Sequence, residues 1–229
     1  MGQVVRTLPE GQEVSAVTSL AGETYVLRDK LSERDQVEVY DVITYCLRLT
    51  VPNARLILDM SSCEHYCCIY ISDYTVECIH RLDAQGAATQ WPVNDRPAGL
   101  SVNTVHNLLV TCHAARKIKE FTADGHIVRT VCLPGDVVHP WHAVQTRSGQ
   151  FIVCHGGSGD AVNRVCMTSA DGRHIVLSHG GQPGSDTDEY DGPVHLAVDN
   201  EFVFVVDRFN QSHIFERVVP TGPTLCSSC

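Results

Sequence analysis

Residues 108–125 read LLVTCHAARKIKEFTADG, in which an apolar strand, a polar turn, an alternating strand and an Asp-Gly pair follow one another. The apolar triplet at the start favours a buried strand, and KIKEF at 117–121 alternates polar and apolar residues with a period of two. An Asp-Gly pair supplies the positive φ that a tight hairpin turn requires. The stretch therefore predicts antiparallel hairpins.

The order of apolar strand, polar link and second apolar strand recurs along the chain, most loosely at 24–41. It is found at 24–41, 69–86, 108–125, 151–172 and 202–216. The residues that end the first strand of each stretch are Arg28, Asp73, Cys112, His155 and Asp207, roughly 40–50 residues apart. A further apolar strand precedes most stretches and begins at Pro97, Pro140 and Pro193. Four short strands in about 45 residues are typical of one blade of a β-propeller. The fold class predicted is all-β, with four-stranded antiparallel blades.

The two ends of the chain complete this pattern. QVVRT at 3–7 is similar to HIVRT at 126–130, the last strand of a unit, whereas the unit that begins at Pro193 has only three strands. One N-terminal and three C-terminal strands would make a shared blade, which gives five blades and a closed sheet arrangement without a free edge. The alternative is an incomplete six-bladed ring. We expect the propeller to span residues 1–219 and the Cys- and Ser-containing tail, residues 220–229, to be disordered.

Several units resemble the NHL repeat, in which an aspartate ends one strand and an Asp-x-x-Gly turn ends the next. The matching residues are Tyr70, Asp73, Ile79, Asp83 and Gly86; Ile118, Phe121, Asp124 and Gly125; and Val205, Asp207, Asn210, Ile214 and Phe215. The first aspartate is replaced by Arg28, Cys112 and His155 elsewhere, so the repeats are degenerate. The resemblance implies a propeller used mainly for recognition. Relatives include the C-terminal domains of ubiquitin-ligase proteins, some RNA-binding, and a metal-using amidating lyase.

Composition excludes several classes of function. A net charge of −10 disfavours nucleic-acid binding, which depends on Lys and Arg. No apolar stretch approaches the roughly 20 residues of a membrane span, and the N-terminus lacks the pattern of a secretory signal. We therefore expect a cytoplasmic protein whose 11 cysteines are reduced thiols. No motif predicts a cofactor.

The sequence favours a non-catalytic scaffold that binds a protein or peptide through loops on one face. The residues predicted to contact that partner are Trp141, Arg208, Phe209, Asp186, Asp188 and Glu189. The alternative is a metal-dependent lyase or hydrolase, because imidazole is the commonest metal ligand and His142, His155 and His195 lie at strand starts and ends. RNA binding, by analogy with NHL relatives, is a second alternative that the net charge opposes.

Overall fold

The structure, a computed structural model, describes residues 14–28, 36–40, 47–51, 54–157, 162–181, 189–198, 202–208 and 213–216. Every regular element in these ranges is a β-strand, so the all-β prediction is confirmed. Within the same ranges no helix occurs with the length and hydropathy of a membrane span.

The strands form five antiparallel sheets. Sheet 1 contains β1 (Val14–Leu20), β2 (Glu23–Arg28), β3 (Gln36–Tyr40) and β4 (Leu47–Thr50). Sheet 2 contains β5 (Ile57–Cys63), β6 (Cys68–Asp73), β7 (Cys78–Asp83) and β8 (Ala88–Pro92). Sheet 3 contains β9 (Pro97–Val102), β10 (Leu108–Cys112), β11 (Lys117–Phe121) and β12 (Ile127–Cys132). Sheet 4 contains β13 (Pro140–Gln145), β14 (Phe151–His155), β15 (Asn163–Thr168) and β16 (Ile175–Gly181). The described strands of sheet 5 are β17 (Pro193–Val198), β18 (Val203–Asp207) and β19 (His213–Glu216).

Strands that follow one another in sequence are neighbours in every sheet. This up-and-down order confirms the predicted four-stranded antiparallel units in sheets 1 to 4. QVVRT at 3–7, the predicted fourth strand of sheet 5, and the tail at 220–229 lie outside the described residues. The choice between five-bladed closure and an incomplete six-bladed ring stays a prediction.

The strand register confirms how the repeats align. The prolines that begin β9, β13 and β17 lie opposite the residues that end the next strand, in the pairs Pro97–Cys112, Pro140–His155 and Pro193–Asp207. The first strand of each of these three sheets has a register shift next to the proline pair. In sheets 1 and 2 the shift lies next to the pairs Val14–Arg28 and Ile57–Asp73. Proline lacks the N–H of a ladder bond and is tolerated at the first position of a strand or beside a bulge. The repeat is therefore defined by backbone pairing and not only by residue type.

The turns show where the sequence needs positive φ. Gly86, Gly125 and Gly172 of the predicted Asp-containing turns have φ of 80°, 81° and 74°, and each turn joins the last two strands of its sheet. Other hairpins have four-residue turns whose last position, also at positive φ, is Cys67, Glu77 or Arg116. The Asp-Gly prediction is confirmed, whereas these non-glycine positions carry no sequence signal of positive φ.

The chain divides into two compact units. Unit 1 comprises Met1–Ala115 and Lys119–Thr130, and unit 2 comprises Arg116–Ile118 and Val131–Cys229. In unit 1, apolar clusters lie between sheets 1 and 2 and between sheets 2 and 3, and Trp91 is part of the second cluster. In unit 2 the cluster joins sheets 4 and 5 and includes the fully buried Tyr190. Each sheet thus buries at least one face against a neighbouring sheet of its unit.

Candidate functional site

The first strands of sheets 4 and 5 place two histidines at equivalent positions. In β13 the pairing shifts between Pro140 and His142, and in β17 it shifts between Pro193 and His195. A β-bulge bends its strand and re-aims the side chains beside it. Because β13 and β17 pack against each other in unit 2, the two histidines meet side by side.

The His142 and His195 rings are stacked, with centroids 4.1 Å apart and planes inclined by 29°. His142 is buried and His195 is half-buried. One ring nitrogen of each lies within 4.8 Å of the other. A zinc ion binds imidazole nitrogen at about 2.0–2.1 Å, so a modest ring rotation would let both nitrogens reach one ion. Unit 2 can therefore supply two metal ligands from these histidines.

His155, the third predicted metal ligand, lies elsewhere. It is fully buried at the end of β14, next to Cys154, which is the cross-strand partner of His142. Cross-strand partners share one face of a sheet and successive residues alternate between faces. The register therefore assigns His155 to the opposite face of sheet 4 from His142. The structure brings together two of the three predicted histidines.

The residues predicted to contact a partner have different environments. Arg208 is exposed just after β18, and Glu189 is half-buried. Trp141 is half-buried, packs against the apolar cluster of unit 2 and donates a 2.7 Å hydrogen bond from Nε1 to the Gly156 carbonyl. Asp186, Asp188 and Phe209 lie outside the described residues. The contact role of this set stays a prediction, and a substitution of Trp141 would also disturb packing.

Unit 1 contains an aromatic and cationic cluster that the sequence analysis did not identify. The Arg96 guanidinium lies over the Tyr74 ring, with its Cζ atom 5.4 Å from the ring centroid. The His113 ring meets Tyr74 edge-on at 6.3 Å and 69°. Arg96 is exposed, while Tyr74 and His113 are half-buried. We call Tyr74, Arg96 and His113 the Arg96 cluster.

Backbone bonds that recur in the repeats hold the Arg96 cluster in place. The Tyr74 N–H donates to the Leu56 carbonyl at 2.9 Å, and the His113 N–H donates to the Arg96 carbonyl at 3.2 Å. The equivalent bond in sheet 5 runs from the Arg208 N–H to Gly192. Arg208 therefore has the same repeat position as Tyr74 and His113. Knowledge of this register would have shown that Tyr74, His113 and Arg208 follow equivalent strands.

A third cluster combines Cys78, His80 and Asp73 but is structural. Cys78 Sγ lies 3.4 Å from His80 Nε2, and Asp73 Oδ2 lies 3.8 Å from the same nitrogen. A catalytic triad instead uses the two ring nitrogens for different partners. All three side chains are buried, and the Asp73 carboxylate also accepts bonds from the N–H groups of Thr75 and Val76. Asp73 therefore anchors its turn.

The environment of this cluster shifts both pKa values. Burial by itself would raise the pKa of Asp73, but the bonds from His80 and backbone amides outweigh it and lower the pKa to about 2. Burial would lower the pKa of His80, but the contacts with Asp73 and Cys78 outweigh it and raise the pKa to about 9. The pair is therefore charged at neutral pH.

The three cysteines of CEHYCC (63–68) differ in solvent exposure. Cys63 and Cys68 are buried opposite each other at the ends of β5 and β6, and Cys67 is exposed in the turn. Burial raises the pKa of the Cys68 thiol despite the neighbouring Tyr70 and Arg81. Cys67 and Cys68 therefore differ in environment, and the buried pair of Cys63 and Cys68 has a packing role.

The comparison with known proteins shows the fold. No protein family matches the sequence, and no curated protein matches it. A streptogramin B lyase structure is similar with a TM-score of 0.69 at 16% identity, covering 91% of this chain and 66% of that chain. Virginiamycin B lyase from Staphylococcus aureus is similar with a TM-score of 0.65 at 12% identity, covering 85% and 63%. A chain of a nidogen/laminin complex has a TM-score of 0.65 at 12% identity, covering 90% and 76%.

These neighbours are β-propellers, so the chain has a β-propeller fold. It spans about two thirds of the length of the two lyases. The neighbours include enzymes and a protein that forms a complex with laminin, and one fold therefore supports both catalysis and binding. The NHL resemblance of the repeats stays a resemblance because no family match accompanies it.

Proposed function

We propose that this protein is a recognition module that binds an acidic segment of a protein partner through the Arg96 cluster of unit 1. The observation that carries the proposal is the Arg96 guanidinium held over the Tyr74 ring. Among the residues that the structure describes, no carboxylate forms an ion pair with Arg96. Arginine and tyrosine are the residue types that most often dominate binding energy at protein interfaces.

The neighbouring carboxylates already have partners, which leaves Arg96 available. Asp95 forms a 2.6 Å ion pair with Lys119, and Asp73 is buried in the cluster with His80. A guanidinium binds a carboxylate through two parallel N–H···O bonds. The aromatic rings beside it supply contact area with little loss of conformational freedom. This chemistry fits a segment that presents Asp or Glu next to an apolar side chain.

The net charge of −10 shapes the expected behaviour. Repulsion from the rest of the surface slows the approach of an acidic partner, and salt screens charges separated by more than about 10 Å at 0.1 M. Moderate salt should therefore weaken binding less than it does for partners attracted by overall charge. Arg208 has the equivalent repeat position in sheet 5, and we propose it separately as a contact residue of unit 2.

The test uses fluorescence anisotropy with a labelled poly-glutamate peptide and a poly-lysine peptide as the probe of opposite charge. Arg96→Gln should weaken poly-glutamate binding about fivefold or more, the loss expected at a dominant interface residue. Arg173→Gln is the matched control, because Arg173 is 78% exposed and contacts Asp171 only at 3.9 Å. Equal losses in the two variants, or no binding of poly-glutamate, would contradict the proposal.

A second candidate function is favoured by the stacked His142 and His195 rings. We propose that they bind one divalent transition metal ion, as the metal-dependent lyase hypothesis requires. The neighbours include a catalytically inactive histidine-to-alanine variant of virginiamycin B lyase with quinupristin, which supports a search for lyase activity in this chain.

Metal analysis after dialysis against Zn²⁺ tests this candidate. We expect one ion per chain, reduced by His142→Gln or His195→Gln but unchanged by His174→Gln, an exposed histidine in a turn. Quinupristin is then offered to the loaded protein. Metal binding that survives both substitutions would exclude these ligands, and intact quinupristin would exclude that substrate.

A further inference from the structure

Among the described residues, the outer strand of sheet 4 has one unpaired edge. β16 (Ile175–Gly181) pairs with β15 on one side, and no described strand pairs with its other side. Val176 is 57% exposed and Leu177 is 49% exposed. The strand contains neither a charged residue nor a proline. Charged residues and prolines are the common protections of an edge strand against pairing with another chain.

The outer strands of the neighbouring repeats are protected. HIVRT at 126–130 aligns with HIVLS at 174–178, so Arg129 of β12 has the position that Leu177 has in β16. Arg129 forms a 2.6 Å ion pair with Glu120 of the adjacent strand. β8 ends at Pro92, and its exposed side chains before Trp91 are small or polar. β16 therefore differs from its equivalents in the property that governs strand pairing.

An apolar cleft borders this edge. Its lining includes Ile152, Val165, Met167, Leu177, Val203 and Val205, together with His179. The register explains the arrangement, because Leu177 lies opposite Met167 and His179 lies opposite Val165, which puts all four side chains on one face. The volume of the cleft is about 20 Å³, close to what one water-sized group occupies. It can admit the tip of one small aliphatic side chain.

Two contacts hold the end of β16 firmly. His179 Nδ1 lies 3.1 Å from the hydroxyl of the buried Tyr190. Gly180 has φ of 81°, and a Cβ there would lie 2.5 Å from the Tyr190 ring. The edge is therefore set in position before any partner arrives, which reduces the entropy lost on binding.

We propose that β16 is a docking edge for an extended peptide segment of a partner protein. The segment pairs with β16 as an additional strand and inserts one aliphatic side chain into the cleft. In this mode of recognition, backbone hydrogen bonds give affinity and pockets for alternate side chains give specificity. The lack of charge on β16 fits a partner segment of alternating aliphatic and neutral polar residues.

A second copy of the chain fits this edge less well. Two β16 strands that pair would bury only one strand edge on each side, whereas stable interfaces bury about 1,200–2,000 Å² in total. The proposal concerns unit 2 only and does not depend on the Arg96 cluster.

The experiment measures amide hydrogen exchange of the intact protein with a lysine-capped peptide of alternating threonine and valine. We expect protection of residues 175–181, and loss of that protection when the central valine of the peptide is aspartate. Leu177→Arg, which copies the protected position of β12, should weaken binding at least tenfold. Val128→Arg on β12 is the matched control, because Val128 is 50% exposed, and it should leave binding unchanged.

Leu177→Thr removes the aliphatic wall without adding a charge, and it should weaken binding severalfold if Leu177→Arg folds poorly. Equal protection of β12 and β16 by the peptide would overturn the proposal, because it would show unselective edge pairing. Protection of β16 that appears without peptide and rises with protein concentration, together with a doubled mass in light scattering, would assign the edge to a second copy instead.

Discussion

Sheets 2 and 3 have the same strand order, but the buried charged side chains of Asp73 and Glu120 lie at opposite ends of the two sheets. In sheet 2, Asp73 and His80 lie beside the turn at 74–77. In sheet 3 the equivalent of Asp73 is Cys112, a buried thiol in the apolar cluster. The charged group of sheet 3 is instead Glu120, whose carboxylate accepts bonds from the side chains of Asn103, Asn107 and Arg129.

The difference shows that the repeat requires a backbone register and not a particular residue at its turn. Asp73 binds the backbone amides of its own turn, whereas the turn after Cys112 forms without a carboxylate at that position. The position of the buried charged side chains therefore differs between these two sheets. This explains why the repeats look degenerate in sequence while their pairing is regular.

Substitution of Asp73 and of Cys112, the last residues of β6 and β10, should give the largest difference in stability between the two sheets. Asp73→Ala removes the partner of the buried His80 and several amide bonds, so we expect a loss of about 3–5 kcal/mol in the free energy of unfolding. Cys112→Ala removes one sulfur from an apolar cluster and should cost about 1 kcal/mol. Urea unfolding in a Trp141→Phe background, in which Trp91 reports on unit 1, measures both. Equal losses would refute the distinction between the two sheets.

The Asp-containing turns provide the next contrast. Gly86 and Gly125 have nearly the same φ, but a Cβ at Gly125 would lie 2.6 Å from the Trp91 ring and a Cβ at Gly86 would meet nothing within 4 Å. Gly86→Ala should cost about 1–2 kcal/mol from the left-handed backbone. Gly125→Ala adds about 1–3 kcal/mol of overpacking. The same unfolding experiment would contradict this account if Gly86→Ala were the more harmful.

The pH dependence of unit 1 should distinguish the buried charges. Asp73, with its lowered pKa, stabilises the fold above pH 3.8, and this contribution is lost as the pH falls towards 2. His80, with its raised pKa, stabilises the fold below pH 6.5, and this contribution is lost as the pH rises through 9. We expect a loss of about 1–2 kcal/mol between pH 7 and 10.

Thermal melts across this range provide the measurement, and His80→Gln is the control that should flatten the alkaline side. An alkaline loss of the same size in wild-type protein and in His80→Gln would assign the effect to other groups.

The smallest contrast concerns partly exposed ion pairs. Arg129→Ala leaves Glu120 with its two asparagine partners and should cost about 1 kcal/mol. Arg173→Ala, whose 3.9 Å pair with Asp171 is largely exposed, should cost almost nothing. If both variants melt like wild type in matched scans, the Arg129 pair contributes no more than a surface pair.

The sequence predicted the fold because its signals were local. Alternating residues and Asp-Gly pairs report backbone conformation over a few residues, and the spacing of Pro97, Pro140 and Pro193 reports the repeat. The β16 edge was not predicted, because only the alignment of Leu177 with Arg129 makes its lack of protection visible.

The candidate sites were predicted only in part, since they combine residues from different sheets. His142 and His195 meet because two bulges fall at equivalent positions, and no spacing in the sequence encodes a bulge. The Arg96 cluster joins a turn of sheet 2 to the strand connection before sheet 3 and a turn of sheet 3. The sequence predicts Trp141 as a partner contact, whereas its hydrogen bond to the Gly156 carbonyl depends on tertiary structure that the sequence does not show.

The four-residue turns have a consequence for engineering. Cys67, Glu77 and Arg116 close turns of equal length with the same left-handed backbone, so these turns are interchangeable modules. Grafting HAAR (113–116) in place of YTVE (74–77) would transplant surface chemistry from one blade to another while the strands keep their pairing. A foreign recognition sequence of the same length could be displayed in the same way, with asparagine or glycine at its final position. The scaffold would then serve as a modular display platform whose hairpins are exchanged one at a time.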